Sequence, residues 1–320
     1  MTPPFALRAF GSSDLQVTPL CFGCAPLGGM PETFGYDVPV ARALETLRAM
    51  VASPVNYIDT AASYGDGESE RRIGLLLREL GGLPAGFVLA TKVDRDLKTG
   101  DFSGEQMKRS LERSLALLGL DRLQIVFLHD PEHTTFEHVL SPGGPLEVLQ
   151  QYQQQGVIDQ IGIAGGPIDM LMRYVETGAF GSVITHNRYT LLNRSAAPLL
   201  DLAAQHGMAV LNAAPYGSGI LAKGPSAYAR YAYQEADTTT LGRAQYMEQI
   251  CASYKVPLAA AALQFSLRDP RITSTIIGIT RPERVAQTVE LAQHPIPGDL
   301  WPLLDAAGYD TVDPEANRFQ

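Results

Sequence analysis

Three polar residues close three short apolar runs and a fourth follows the first of them, and their types are those that proton transfer at a carbonyl oxygen requires. Asp59 ends the run in YIDTAASYG, and Tyr64 lies five residues further on. Lys92 ends the run in LATKVD, and His129 ends the run in VFLHDP. A phenol ionises near pH ~10, so alone it is a poor acid or base at neutral pH. A Lys ammonium beside it favours the phenolate, and Lys92 is expected to lower the pKa of Tyr64. Asp59 is expected to hold Lys92 by an ion pair, and His129 to hydrogen-bond the substrate oxygen and orient it. No side chain supplies a hydride, so the chemistry implies a redox cofactor. Each residue alone also reads as structural: a turn-capping Asp, a solvated Lys, a packed His. Their convergence is what points to function.

The elements that must position them recur in a fixed rhythm. A hairpin is expected over 8–17, around Gly11 to Asp14, at the bottom of the fold. Strand and helix then alternate: 20–22 with 39–52, 56–59 with 69–80, 87–92 with 104–118, and 123–129 with 146–155. The series continues with 161–164 and 169–177, 182–186 and 196–206, 209–213 and 257–267, and 275–277 and 282–292. Strands such as FVLAT and LQIVFL are nearly continuous apolar runs, as parallel strands buried on both faces are. Met107, Leu111, Leu115 and Leu118 fall on one helical face. Eight such units predict an α/β fold, a (β/α)8 TIM barrel with the hairpin capping its bottom, and in that fold function sits at the carboxyl ends of the strands. A doubly wound open sheet is the rival. It usually carries G-x-G-x-x-G after its first strand, and GCAPLGG does not match.

The 320 residues read as one domain over 1–320, with no linker or low-complexity block. The net charge of −9 disfavours nucleic acid and anionic membrane as partners. No apolar run reaches the roughly 18 residues of a membrane span. The start, MTPPFALRAFGSSDL, has no continuous apolar core of a secretory signal, so a cytoplasmic protein is expected. Three cysteines, Cys21, Cys24 and Cys251, argue for a reducing compartment. Cys21 and Cys24 form a C-x-x-C, but the segment LCFGCAPLGG reads as a strand entering a turn, not as a redox helix. No homo-oligomer is legible, though one is compatible with the sequence.

Two loops suit a phosphate-bearing cofactor. After the seventh strand, small residues in the stretch from Pro215 to Leu221 let backbone N–H groups approach a pyrophosphate. After the eighth strand, Gly278 to Arg284 lead into a helix at Pro282, whose N-terminus attracts phosphate. Each also reads as an ordinary surface turn.

The segment IDTAASYGDGESERRIG resembles the aldo-keto reductase signature, with Lys92 in ATK and His129 in FLHDP matching the rest of its tetrad. The resemblance spans essentially the whole chain and implies an NAD(P)-dependent oxidoreductase of CH–OH groups with Asp59, Tyr64, Lys92 and His129 catalytic. HDPE, RYTLLNRS and NAAPYGSGIL look like the subgroup of aldose 1-dehydrogenases and pyridoxal 4-dehydrogenase. That implies a small-molecule substrate, a sugar or another aldehyde, with oxidation of an aldose hemiacetal to its lactone as the leading reading. Pyridoxal oxidation and general aldehyde reduction are the alternatives.

The resemblance also implies cofactor contacts at Gly23, Asn187, Tyr216, Ser218, Gly219, Leu221, Gly278, Thr280, Arg284 and Thr288. Asn187 would hold the nicotinamide amide, and Tyr216 would stack on its ring. A Lys-Ser pair that grips the 2′-phosphate of NADPH in the family falls on Gly278 and Ile279 here, while Arg284 fits a downstream Arg. The family's usual adenine-contacting Asn falls on Thr288. NAD is therefore slightly favoured over NADP. The usual Ser-Asn at the fifth strand is replaced by Ala164-Gly165-Gly166.

Pocket walls are expected near 30–34, 94–102, 129–138 and 224–241. Tyr228, Tyr231 and Tyr233 in the last of these read as a solvated mobile lid. Two rival functions stand beside this one. The first is a metal-dependent barrel hydrolase using His129, Asp130, His133 and His138. The second is a nicotinamide-binding sensor without turnover. No metal is expected under the leading reading.

Overall fold

The computed structural model describes residues 5–316. Residues 1–4 and 317–320, which belong to the expected 1–320 domain, lie outside the described residues. Eight parallel strands close into a barrel. In chain order they are β1 (Leu20–Gly23), β2 (Tyr57–Asp59), β3 (Val88–Val93), β4 (Leu123–His129), β5 (Ile158–Ala164), β6 (Ser182–His186), β7 (Ala209–Ala213) and β8 (Ser274–Gly278). β8 closes the ring by pairing with both β7 and β1. The principal helices are α1 (Val40–Val51), α2 (Glu68–Leu80), α3 (Gly104–Leu118), α4 (Pro145–Gln154), α5 (Ile168–Glu176), α6 (Ala197–Gln205), α7 (Leu258–Leu267) and α8 (Pro282–Gln293). The expected barrel is the observed one.

Local chemistry explains the boundaries. α3 begins where the Ser103 hydroxyl accepts the Gln106 N–H and ends at Gly119 in the left-handed conformation. Its Met107, Leu111 and Leu118 are buried against the barrel. β5 starts three residues earlier than the apolar run suggests, because Ile158, Asp159 and Gln160 still follow β4 in register.

The core has two parts. Between strands and helices lies a large apolar layer, from Leu20 and Phe22 to Leu300 and Leu304. Inside the barrel lies a smaller cluster of Cys21, Tyr57, Val88, Ile125, Phe127, Leu211 and Ile276, with Phe10 among them. Phe10 follows the first strand of the N-terminal hairpin (Arg8–Ala9 with Gln16–Val17) and meets Tyr57 edge-on at 6.2 Å between ring centroids. The hairpin thus plugs the end where the strands begin and leaves the other end for chemistry. Cys21 and Cys24 are buried, and burial pushes both thiols up, the opposite of an activated thiolate.

Additional helices decorate the outside. The longest is Thr238–Ser253, capped by Asp237, which accepts from the Thr239 and Thr240 N–H groups. Among the described residues no single helix is long and apolar enough to cross a membrane.

Candidate active site

The four candidate residues meet at the carboxyl end of the barrel. Asp59 is the last residue of β2, and β3 carries Lys92 one residue before its end. Lys92 Nζ donates to Asp59 Oδ1 at 2.6 Å and to the Thr60 carbonyl at 2.7 Å. Both side chains are almost wholly buried, at 3% and 4% exposure. Taking such a pair out of water is costly, and the contact geometry must offset that cost. The second oxygen of Asp59 has no hydrogen-bond partner among the described residues.

Tyr64 stands over this pair. Its ring centroid is 4.7 Å from Lys92 Nζ and 6.0 Å from the His129 ring, the two rings nearly perpendicular. Burial pushes the Tyr64 phenol well above its ordinary value, and Lys92 pulls against that shift. The expected net lowering is therefore not what the structure gives: desolvation outweighs the nearby ammonium, and the phenol stays protonated at neutral pH. Burial disfavours the Lys92 ammonium, but Asp59 and Tyr64 overcome it and hold that ammonium above its usual range.

His129 ends β4 and points Nδ1 at Asp94 Oδ1, 2.6 Å away. Its Nε2 lies 3.4 Å from Asp130 Oδ1. Burial works against the imidazolium, yet Asp130 and Asp94 prevail and push the ring up to about 9. A second oxygen of Asp94 accepts the Ser63 N–H at 2.8 Å. The sequence marks Asp94 only as part of a pocket wall. Its signal was its place two residues beyond Lys92, which returns it to the same side of the strand.

The cofactor candidates form one arc. Gly23 and Gly278 sit opposite each other in the register of β1 and β8. A side chain at Gly23 would crowd Ile276, and one at Gly278 would approach Pro26. After β7, Gly217–Gly219 form a short 3-10 turn with Ser218 in the left-handed region. Gly217 has φ +56°, and a Cβ there would stand 2.3 Å from the Tyr231 ring. The Ser218 hydroxyl reaches Asn187 Oδ1 at 3.4 Å, and its oxygen accepts the Tyr233 N–H. Asn187 follows β6 and is fully buried, and its Nδ2 has no partner among the described residues. The Tyr216 hydroxyl is likewise buried without a partner. Two orphaned buried donors beside a Gly-rich turn fit a polar ligand there.

Other candidates are less open. The Leu221 side chain is packed in the core, so only its backbone could face a ligand. Thr280 is half-buried at the start of the turn into α8. The Thr288 hydroxyl donates to the Arg284 carbonyl at 2.7 Å, within α8. Arg284 is exposed and donates to Gln287 at 2.7 Å. Ile279 is buried at 1% exposure and offers nothing to a phosphate.

Two expectations for the walls change. Tyr231 is buried, and its hydroxyl donates to the Asn187 carbonyl at 2.7 Å, so it is a pin and not part of a solvated lid. His138 turns its Nε2 to the Phe102 carbonyl at 3.3 Å, away from His129. Among the described residues no group of three or more His, Cys, Asp or Glu is placed to hold a metal ion.

The aldo/keto reductase family profile matches residues 19–308. The chain belongs to the aldo/keto reductase family. This aldo/keto reductase is an NAD(P)-dependent oxidoreductase with a small-molecule substrate. Pyridoxal 4-dehydrogenase of Microbacterium luteolum is 30% identical to it, over 94% of this chain and 97% of that protein. D-threo-aldose 1-dehydrogenase of a Pseudomonas species is also 30% identical, over 93% and 96%. L-galactose dehydrogenase of Arabidopsis thaliana is 30% identical, over 88% and 86%. The aldo-keto reductase AKR11C1 from Bacillus halodurans (holo form) superposes with a TM-score of 0.79 at 23% identity, covering 98% of this chain and 99% of that one.

Sequence reasoning on this reductase also missed Asp313 and Glu315. Glu315 reaches the end of β6, 3.2 Å from His186 Nε2 and 3.0 Å from Arg188 Nη1. Arg188 is fully buried and also pairs with Asp313 at 2.9 Å. A buried guanidinium needs such partners, but nothing local in the sequence links residues this far apart.

Proposed function

We propose that this aldo/keto reductase oxidises an aldose at C1 to the lactone, with Tyr64 as general acid and base. The observation that carries the reading is the buried Lys92–Asp59 pair at 2.6 Å, directly beneath the Tyr64 ring. A nicotinamide cofactor, when bound, accepts the hydride from C1 or returns it in the reverse direction. The rest is the work of this chain. In oxidation, the hydroxyl proton passes to the phenolate form of Tyr64, which the Lys92 ammonium stabilises and which alkaline pH populates. In reduction, the phenol donates its proton to the carbonyl oxygen. His129 Nε2 orients the same oxygen, and Asp59 keeps Lys92 in place and charged.

The aldose reading is supported by the relatives: two of those described act, by name, on sugars. Pyridoxal is the second reading, because an equally similar relative is a pyridoxal 4-dehydrogenase. Asn187 Nδ2 suits the nicotinamide carboxamide oxygen as a donor, being buried and unpartnered. NAD is favoured over NADP because Gly278 has no side chain and Ile279 is buried, which leaves the exposed Arg281 and Arg284 as the cations of that loop.

The test is fluorescence titration with NADH and NADPH side by side, followed by turnover of L-fucose, other aldoses and pyridoxal with the preferred cofactor. Tighter NADH binding and turnover of an aldose are expected. Turnover of pyridoxal alone would replace the aldose reading, and binding of neither cofactor would overturn both.

A further inference from the structure

β3 does not stop contributing at Lys92. The chain continues to Asp94, which is 4% exposed and, among the described residues, has the His129 ring as its one ion-pair partner. Every polar atom of Asp94 is engaged. Its N–H donates to Ser110 Oγ at 3.0 Å, and its carbonyl accepts Gln106 Nε2 at 3.1 Å, so α3 fixes its backbone. Oδ1 lies 2.6 Å from His129 Nδ1, and Oδ2 accepts the Ser63 N–H at 2.8 Å. Ser63 directly precedes Tyr64. One buried carboxylate therefore touches both the imidazole and the loop that carries the phenol.

We propose that Asp94 is a positioning residue for the reaction: it fixes His129 with a proton on Nδ1, leaves Nε2 to meet the substrate oxygen, and ties that ring to the Tyr64 loop. The proposal rests on the oxidoreductase reading above. Which ring nitrogen carries the proton follows from its neighbour, and a carboxylate accepts only.

The charge around the ring has a consequence for pH. Asp94 just past β3 and Asp130 from the loop after β4 face it with negative charge, Lys92 faces it with positive charge beside its partner Asp59, and the Tyr64 ring meets it edge-on. The carboxylates outweigh both burial and Lys92, so the imidazolium persists to about 9. An imidazolium donates from Nε2, which suits a carbonyl oxygen gaining negative charge during reduction. Because the ring is held above its ordinary value, this donor is present below pH 9 and is lost as pH rises through it.

The experiment compares native protein with Asp94→Asn, which keeps the shape and an acceptor for Nδ1–H but removes the charge. The first readout is the pH dependence of kcat/KM for carbonyl reduction. The second is the His129 titration followed by nitrogen NMR, and the third is the NADH dissociation constant. Asp94→Asn is expected to move the alkaline limb and the His129 titration down together, by about 1–3 pH units, with NADH affinity unchanged. Asp94→Glu should restore part of that shift. A His129 titration at the same pH in native protein and Asp94→Asn would overturn the proposal. So would a uniform loss of rate across pH with weakened NADH binding, which marks a merely structural role. If native protein reduces no carbonyl, the function reading fails, and the NMR titration still decides this inference by itself.

Discussion

Lys92 is the residue on which the site's electrostatics turn. It neutralises Asp59 at 2.6 Å and lies against the face of the Tyr64 ring, with both members of the pair out of water. Lys92→Met therefore leaves an uncompensated buried carboxylate. It is expected to cost about 3–5 kcal/mol of stability, read by denaturant unfolding. The companion Asp59→Asn/Lys92→Met protein should recover most of that loss. Equal stability of the single and double variants would show that the pair is not coupled. At this scale the sequence was legible where a chemistry-bearing residue ends an apolar run, as Asp59, Lys92 and His129 do. It was not legible where the role depends on what lies across the barrel. Asp94 read as loop because its partner, His129, is one strand away. Residue types and spacing place the Tyr64 pKa too low because they do not state how much water the fold removes. Desolvation, the larger influence on Tyr64, is a property of the packed barrel.

The elements hold a second buried carboxyl, remote in role from the reacting atoms. Glu70 of α2 is fully buried and accepts the Thr91 hydroxyl of β3 through Oε1 at 2.5 Å. Its Oε2 has no partner among the described residues. Burial pushes this carboxyl up from 4.5 to about 7. The fold thus prefers the neutral acid, and its stabilising contribution is complete below pH 4.5 and lost as pH rises through 7. Glu70→Gln keeps the shape and the acceptor without the charge. Unfolding measured at pH 4 and at pH 8 should show the variant gaining on native protein at the higher pH. A constant difference would mean that Glu70 is already ionised in the fold.

Element boundaries were legible for β6 and β7, which the apolar runs mark to the residue, and for α3, which has a Ser cap and a terminal Gly. The sequence places the start of the helix Thr238–Ser253 inside a wall loop over 224–241. Three threonines and Gly242 obscure its start, and its buried residues, Ala244, Met247 and Cys251, all lie beyond Gly242. Tyr231 shows the same limit: one hydroxyl bond to Asn187 turns an apparent lid residue into a strut.

Across the whole molecule the division of labour is plain. Phe10 and the N-terminal hairpin close one end of the barrel, while the other gathers Asp59, Tyr64, Lys92, Asp94 and His129 with the Gly-rich arc from Gly217 to Gly219. The return of Glu315 to Arg188 and His186 links the segment around residue 315 to that same mouth. Sequence periodicity could predict the barrel because a repeated unit states its own topology. It could not predict the return of the C-terminal segment, which no repeat encodes.

The central claim is that Tyr64 moves the proton that accompanies hydride transfer. The most direct test follows nicotinamide absorbance during turnover by native protein and by Tyr64→Phe, with the NADH dissociation constant of each measured by fluorescence. The account predicts that the variant binds NADH as native protein does and loses about 10²–10⁴-fold in rate. Equal rates in the two proteins would contradict it.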